Sequence, residues 1–253
     1  MRRRFFVDKF NTGSAAVMEG DAAHHLGHVL RAQTGQLYEL SDGSAAWLAR
    51  IESVARNRIE FALIEQLPAP QPVVDVTLLL SIVKFDAFEW AIEKATELGV
   101  AKIVPLAAAR SEKGLLAAAA KRSQRWQKIL LESSQQSRRL RVPQLVELAK
   151  PAQAFAAQNA GFRLMLSERS DAPSMRSSLA SANRTKSPAT AALAIGPEGG
   201  WTDDELSAAR AAGFQEASLG QLILRTETAV IAALATLNFA LAPTDLASGN
   251  AFR

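Results

Sequence analysis

The chain has 253 residues, 48% of them hydrophobic and 21% charged, a balance that builds a packed core and excludes a disordered or fibrous polypeptide. With no cysteine, disulfides, thiolate zinc sites and a cysteine nucleophile are excluded. The net charge of only +4 leaves the distribution of basic residues to indicate partners.

The N-terminal "MRRRFFVDKF" is basic but carries no apolar run of the kind a secretory signal needs, so none is expected. Short apolar segments follow: "RRFFV", "LYEL", "AAWLARI" and "RIEFALI". Turn signals "NTGS", "SDGS" and "ARNR" separate them, and "DAAHHLGHVLRA" has a helical pattern. This predicts a small, mostly β domain over residues 1–70. His24, His25 and His28 are the only histidines. His24 and His28 have i, i+4 spacing, but only Asp21 stands near them, so they read as surface or RNA-facing groups and no metal site is expected. "QLPAPQP", residues 66–72, resists both helix and sheet and reads as a linker.

The rhythm then changes. "VVDVTLLLSIV" is a strand apolar on both faces. "DAFEWAIEKATELG" predicts a helix capped by Asp86, with Glu89 answering, Phe85 and Trp90 as a staple and Gly99 as the stop. "AKIVPL" is the next strand and Lys121–Arg138 the next helix. "FRLMLSE", "TAALAIG" and "EASLGQLIL" read as further strands. "TDDELSAARAAG" repeats the helix punctuation, with Thr202 and Glu205 as a capping box, Trp201 and Leu206 as a staple, and Gly213 as the stop. Alternation of strands and helices predicts an α/β domain with a mainly parallel sheet over residues 71–253. The apolar run Ala229–Ala242 is too short to span a bilayer and reads as a buried helix, so no membrane association is expected.

Two loops carry the chemistry. "IGPEGGWTDDE" places Glu198 among glycines at a strand-to-helix junction, where parallel sheets bind ligands. No lysine follows, so a phosphate loop is disfavoured, and a carboxylate suits a neutral or cationic ligand better. A tight turn with a solvent-facing glutamate is the alternative. "LGQLILRTETA" repeats the design with Gly220, Arg225 and Glu227. The two loops are candidates to line one cleft, while a local Arg225–Glu227 ion pair is the structural alternative. Lys84, before its helix, is explained by neither capping nor core periodicity. The stretch "KRSQRWQKILLESSQQSRRLR" has seven basic residues against Glu132 alone, and Arg2, Arg3 and Arg4 form a second cluster. Together they suggest a polyanion partner, whereas either cluster alone reads better as a solvated helix face.

"KFDAFEWAIEKATELG", "QSRRLRVP", "IGPEGGWTDDE" and "LGQLILRTETA", with "RRFFV" and "HHLGHVLR" before them, resemble the bacterial 16S ribosomal RNA (uracil-N3)-methyltransferases of the SPOUT superfamily. One departure is visible: Gln135-Gln136 stands where the family commonly has Glu-Gln. The resemblance implies a PUA-like β-barrel followed by a trefoil-knotted, parallel-sheet SPOUT domain, an exception to the rule against threaded chains. It implies a cytoplasmic homodimer that binds S-adenosylmethionine and methylates N3 of a uridine in 16S rRNA, within the small ribosomal subunit. The alternatives are methylation elsewhere, such as a ribose 2′-hydroxyl, or an inactive RNA-binding assembly factor. On this reading Arg225 stabilises charge on the uracil, and Glu198 or Glu227 accepts its proton or orients Arg225. The methyl donor is cradled by Leu166, Ile195, Gly196, Gly199, Gly200, Leu219, Gly220, Gln221 and Leu224. Arg2, Arg3, Arg4, Arg31, Lys84, Arg138, Arg139 and Arg141 contact RNA.

Overall fold

The computed structural model describes residues 3–11, 14–68, 72, 74–180 and 189–241; Arg2 and part of the proline-rich linker lie outside these. The chain divides into two compact units, Met1–Gln71 with Leu131–Val142, and Pro72–Leu130 with Pro143–Arg253. Among the described residues no helix is long and apolar enough to cross a membrane.

The first unit is a six-stranded sheet in the order β1-β4-β5-β6-β3-β2, formed by Arg4–Phe6 (β1), Phe10–Asn11 (β2), Ala15–Glu19 (β3), Leu37–Ser41 (β4), Ala46–Ala55 (β5) and Arg58–Leu67 (β6). All its ladders are antiparallel except β1 on β4. The "SDGS" signal forms the β4–β5 turn, where Asp42 Oδ1 accepts from the backbone of Ser44 (2.8 Å) and Ala45 (2.9 Å). Inward residues Phe5, Met18, Leu40, Ile51, Ile59 and Phe61 make the core. A short helix, Gly20–His24 (α1), and the π-helical turn His25–Val29 add Ala23 and Leu26 to it. The segment after residue 130 belongs to this unit for a definable reason. Arg4 Nη1 donates to the Arg138 carbonyl at 2.6 Å, Ser41 Oγ donates to the Leu140 carbonyl at 2.8 Å, and Arg141 Nε donates to the Gly43 carbonyl.

The second unit is an all-parallel sheet in the order β12-β10-β11-β7-β8-β9. Its elements are Val74–Ser81 (β7), Phe85–Glu97 (α2), Lys102–Leu106 (β8), Lys113–Ala119 (α3), Ser123–Gln136 (α4), Gln144–Leu145 (β9), Pro151–Ala156 (α5), Phe162–Leu166 (β10), Met175–Ala180 (α6), Ala189–Ile195 (β11), Asp203–Ala211 (α7), Gln215–Ala217 (β12) and Thr226–Leu241 (α8). Helix α4 begins in this unit and ends in the first. The central strands β7 and β11 bury Leu78, Leu79, Leu80, Leu193 and Ile195. One apolar cluster gathers Leu79, Leu106, Phe155, Met165, Trp201, Leu206 and Phe214, with Phe155 edge-on to Trp201 at 5.8 Å. Helix α8 packs on α2, and Asn238 Nδ2 closes that helix by donating to the Leu98 carbonyl at 2.8 Å.

Helix α7 is capped as its sequence predicts. Thr202 Oγ1 accepts from the Glu205 backbone, and Glu205 Oε2 accepts from the Thr202 backbone. Trp201 and Leu206 share one core cluster, and Gly99 and Gly213 end their helices at φ +93° and +77°. Four expectations fail. The α2 N-cap is Lys84 rather than Asp86, with no side-chain cap, and Trp90 is 44% exposed rather than a staple. Glu89 completes no capping box, because its buried carboxylate accepts from Arg122 (3.2 Å) and Arg125 (2.7 Å) instead of turning back to the backbone. Arg122 also lies over the Phe85 ring, 4.5 Å from its centroid. The basic helix does not start at Lys121; α3 precedes it from Lys113 and a 3₁₀ turn, Ala120–Arg122, joins the two. "EASLGQLIL" is a strand only over Gln215–Ala217. Leu222 and Ile223 sit in a loop, 82% and 79% exposed.

Candidate functional site

The carboxyl ends of β10, β11 and β12, neighbours in the sheet, open into a cleft of about 350 Å3. Ligands of parallel sheets bind at this edge. Leu166 to Arg169 come from the end of β10, Ile195 to Trp201 from β11, and Ser218 to Leu224 from β12. The two glycine-bearing loops therefore line one cleft. All nine expected cradle residues are among its walls: Leu166, Ile195, Gly196, Gly199, Gly200, Leu219, Gly220, Gln221 and Leu224.

Close packing fixes the first loop. Trp201 Nε1 donates to the Leu166 carbonyl at 3.0 Å, tying the β11 loop to the end of β10. The indole lies so near the backbone that a Cβ on Gly196 would stand 3.1 Å from its ring atoms. Thr226, buried at the start of α8, donates through Oγ1 to the Gly196 carbonyl at 3.3 Å. Arg110 Nη1 donates to the Gly199 carbonyl at 2.8 Å. The Arg110 loop is itself held by Glu205, whose Oε1 accepts from the Ala109 backbone at 2.8 Å while its other oxygen caps α7. Gly196→Ala is therefore expected to displace the buried Trp201 ring and cost about 1–3 kcal/mol. Urea unfolding checks this; wild-type stability would contradict it.

A second cleft, about 370 Å3, opens beside the first at the carboxyl ends of β7 and β8. Ile82, Val83, Lys84, Glu112 and Leu115 line it together with Arg110, Glu198 and Gly199, which also wall the first. Glu198 is exposed at this junction and makes no hydrogen bond or ion pair among the described residues. Arg225 is exposed between Leu224 and Thr226, both wall residues, and itself lines neither cleft. Glu227 is half-buried and lines neither cleft. No ion pair joins Arg225 to Glu227 or to Glu198. At the rim, Arg169 hydrogen-bonds Asp171 at 3.2 Å and holds its carboxyl below the usual carboxylate range.

The basic residues divide. Arg3 and Arg31 are exposed, Arg31 at φ +54°. Lys84 is exposed at the mouth of the second cleft. Arg138 turns the chain at φ +56° and lies 3.5 Å from Glu39, with its side chain 41% exposed. Arg139 Nε donates to the Arg141 carbonyl at 3.2 Å, and Arg141 is exposed. Arg4 corrects the expectation for its cluster. It is 6% exposed, paired with Glu39 at 3.0 Å and bonded to Arg138, so its guanidinium has no free face for phosphate. His24 and His28 are exposed and stack at 4.7 Å.

Sequence reasoning missed Arg110, Thr226 and the second role of Trp201. Arg110 follows a strand in "LAAARSEKG", where only its place beyond a parallel strand marked it. Thr226 stood inside a motif read for its charges, and Trp201 was explained by the staple alone.

Residues 69–238 match the family model of an RNA methyltransferase domain, and residues 19–64 that of an RNA methyltransferase PUA domain. Ribosomal RNA small subunit methyltransferase E of Synechocystis is 37% identical over 221 residues, 85% of this chain and 70% of that protein. The protein of the same name from Rickettsia conorii is 32% identical over 84% of each chain. The crystal structure of ribosomal RNA small subunit methyltransferase E from Neisseria gonorrhoeae, bound to S-adenosyl methionine, matches with a TM-score of 0.82 at 29% identity, over 94% of this chain and 98% of that one. A putative methyltransferase from Legionella pneumophila, in complex with the same cofactor, also matches at 0.82 with 28% identity, over 95% and 98%. The parallel sheet with its PUA-type partner unit, the two loops at one cleft and these whole-chain matches lead to one conclusion: the chain belongs to the ribosomal RNA small subunit methyltransferase E family.

Proposed function

We propose that this protein methylates N3 of a uridine in 16S rRNA, within the small ribosomal subunit, using S-adenosylmethionine as methyl donor, as a cytoplasmic homodimer with a knotted second domain. The observation that carries the reading is the cleft at the ends of β10, β11 and β12, whose wall residues fit that donor. Glycine backbones admit an adenosine, Leu166, Ile195, Leu219 and Leu224 offer apolar contact, and the exposed carboxylate of Glu198 suits a cationic sulfonium. When bound, S-adenosylmethionine supplies a methyl carbon on a sulfonium sulfur, which passes to N3 while the carbon–sulfur electron pair stays with sulfur.

The chain's task is then to hold N3 in line and take its proton. Glu198 is the proton acceptor in this proposal, in preference to Glu227. Its support is position, since Glu198 faces both clefts and Glu227 neither. Arg225, cationic and with no side-chain partner among the described residues, stabilises the negative charge that develops on a uracil carbonyl oxygen. Arg225→Ala is expected to bind S-adenosylmethionine like wild type and lose about 10²–10³ in turnover. Calorimetry beside a methyl-transfer assay checks both halves, and normal turnover would remove Arg225 from the mechanism.

Arg3, Arg31, Lys84, Arg138, Arg139 and Arg141 are proposed RNA contacts. Their support is accessible positive charge, and the expected consequence is affinity for 16S rRNA that falls steeply with salt, by roughly 10²–10³-fold between 50 and 200 mM for about five phosphate contacts. A filter-binding series with a flat salt response would contradict it. The dimer is supported by Phe239 of α8, left 88% exposed, with Trp90 of α2. Light scattering at twice the chain mass agrees with it, and a monomer mass removes it. The reading as a whole is tested by calorimetry with S-adenosylmethionine: saturable binding is expected, and no heat with no thermal protection would sink it.

A further inference from the structure

We infer that the second cleft, at the ends of β7 and β8, is the pocket for the target nucleobase, with Lys84 and Arg110 supplying hydrogen-bond donors to it. The inference rests on the proposed uracil-N3 reaction. N3 lies on the pairing edge of uracil, so an enzyme that works there takes the base out of its stack into a pocket. That pocket must adjoin the methyl donor. The second cleft meets this condition, because it shares Arg110, Glu198 and Gly199 with the cleft assigned to the donor. Its volume of about 370 Å3 suits a small planar ligand.

Part of the lining complements the base, with the exposed Glu112 carboxylate also at the wall. Leu115, half-buried on α3, offers apolar surface to a ring face, while Ile82 and Val83 are buried behind the wall. Uracil presents two carbonyl acceptors, one met by Arg225 in the proposed mechanism and the other open to Lys84 or Arg110, which are donors only. Arg110 is fixed at the junction by its bond to the Gly199 carbonyl, with its Nη1 already used, so its remaining N–H groups are held in place. Glu198, on the shared wall, is the acceptor for the N3 proton.

The test uses the full-length protein with small ribosomal subunits that lack the modification. Leu115→Trp fills the cleft away from the donor, and Lys84→Met removes one donor on an exposed side chain. Lys84→Met keeps the test open if the tryptophan disturbs α3. Both variants should bind S-adenosylmethionine with wild-type affinity in calorimetry. Leu115→Trp should lose more than about 100-fold in kcat/KM, and Lys84→Met about 10- to 100-fold, with Lys84→Arg recovering most of the loss. A 4-thiouridine at the target position should photo-crosslink to peptides carrying residues 82–84 or 110–115. Wild-type kcat/KM in both Leu115→Trp and Lys84→Met, or crosslinks confined to other peptides, would overturn the pocket while the methyltransferase reading stands. A wild-type protein that binds no S-adenosylmethionine would bring down that reading, and the pocket with it.

Discussion

Replacing Glu198 with Gln is expected to cut turnover by about 10²–10⁴-fold, the usual contribution of a positioned general base, while S-adenosylmethionine still binds. The substitution keeps the shape and the backbone of the Gly196–Gly200 loop. That loop is held by Trp201, Thr226 and Arg110, none of which bonds the Glu198 side chain. What is lost is the carboxylate that stands where the two clefts meet. The residual rate should climb with pH, because solvent hydroxide takes over the N3 proton when no side chain can. Single-turnover methylation across a pH series reads both effects. A variant with wild-type rate at neutral pH would show that Glu198 only shapes the loop. The companion change Glu227→Gln should have a much smaller effect, since that side chain faces neither cleft.

The second large effect is on stability and lies in the first unit. Arg4→Met is expected to destabilise that unit by about 3 kcal/mol, the lower end of the range for breaking a buried ion pair. Arg4 and Glu39 are both nearly excluded from water and meet at 3.0 Å, so removing the cation strands a buried carboxylate. Arg138, 3.5 Å from the same carboxylate, limits the loss. Arg4 Nη1 also satisfies the Arg138 carbonyl, so the substitution loosens the segment that carries Arg138, Arg139 and Arg141. Hydrogen exchange of the β1 and β4 amides with urea unfolding measures the change. The double variant Arg4→Met with Glu39→Met should recover most of the stability, because the stranded charge is gone. Wild-type stability of Arg4→Met would show that Glu39 finds full compensation elsewhere.

Local chemistry made much of this molecule legible. The Thr202–Glu205 capping box needs only residues three apart, and it forms as the sequence specifies. The "SDGS" turn and the helix stops at Gly99 and Gly213 are equally local. The near-continuous apolar run of β7 announced a strand covered on both faces, and the parallel sheet followed. The glycine loops could be assigned to one cleft because both follow parallel strands. What escaped depends on partners far away in sequence. Asp86 and Glu89 match a capping box, yet Glu89 is claimed by Arg122 and Arg125, 33 and 36 residues on. Arg4 sits in a basic run that suggests RNA, yet Glu39 takes it into the interior. Arg110 belongs to no motif and acquires its place only when the sheet brings the end of β8 near the β11 loop. "LGQLIL" has the composition of a strand but serves as cleft wall, so its Leu222 and Ile223 stay in water.

The central claim is the transfer of a methyl group to N3 of a uridine in small-subunit RNA, and one measurement addresses it most directly. Small ribosomal subunits lacking the modification are incubated with the protein and isotopically labelled S-adenosylmethionine, and the labelled methyl is mapped by mass spectrometry of 16S rRNA fragments. The account predicts one labelled uridine, methylated at N3 of the base. No transfer, or a methyl on a ribose 2′-oxygen or on another base, would contradict it.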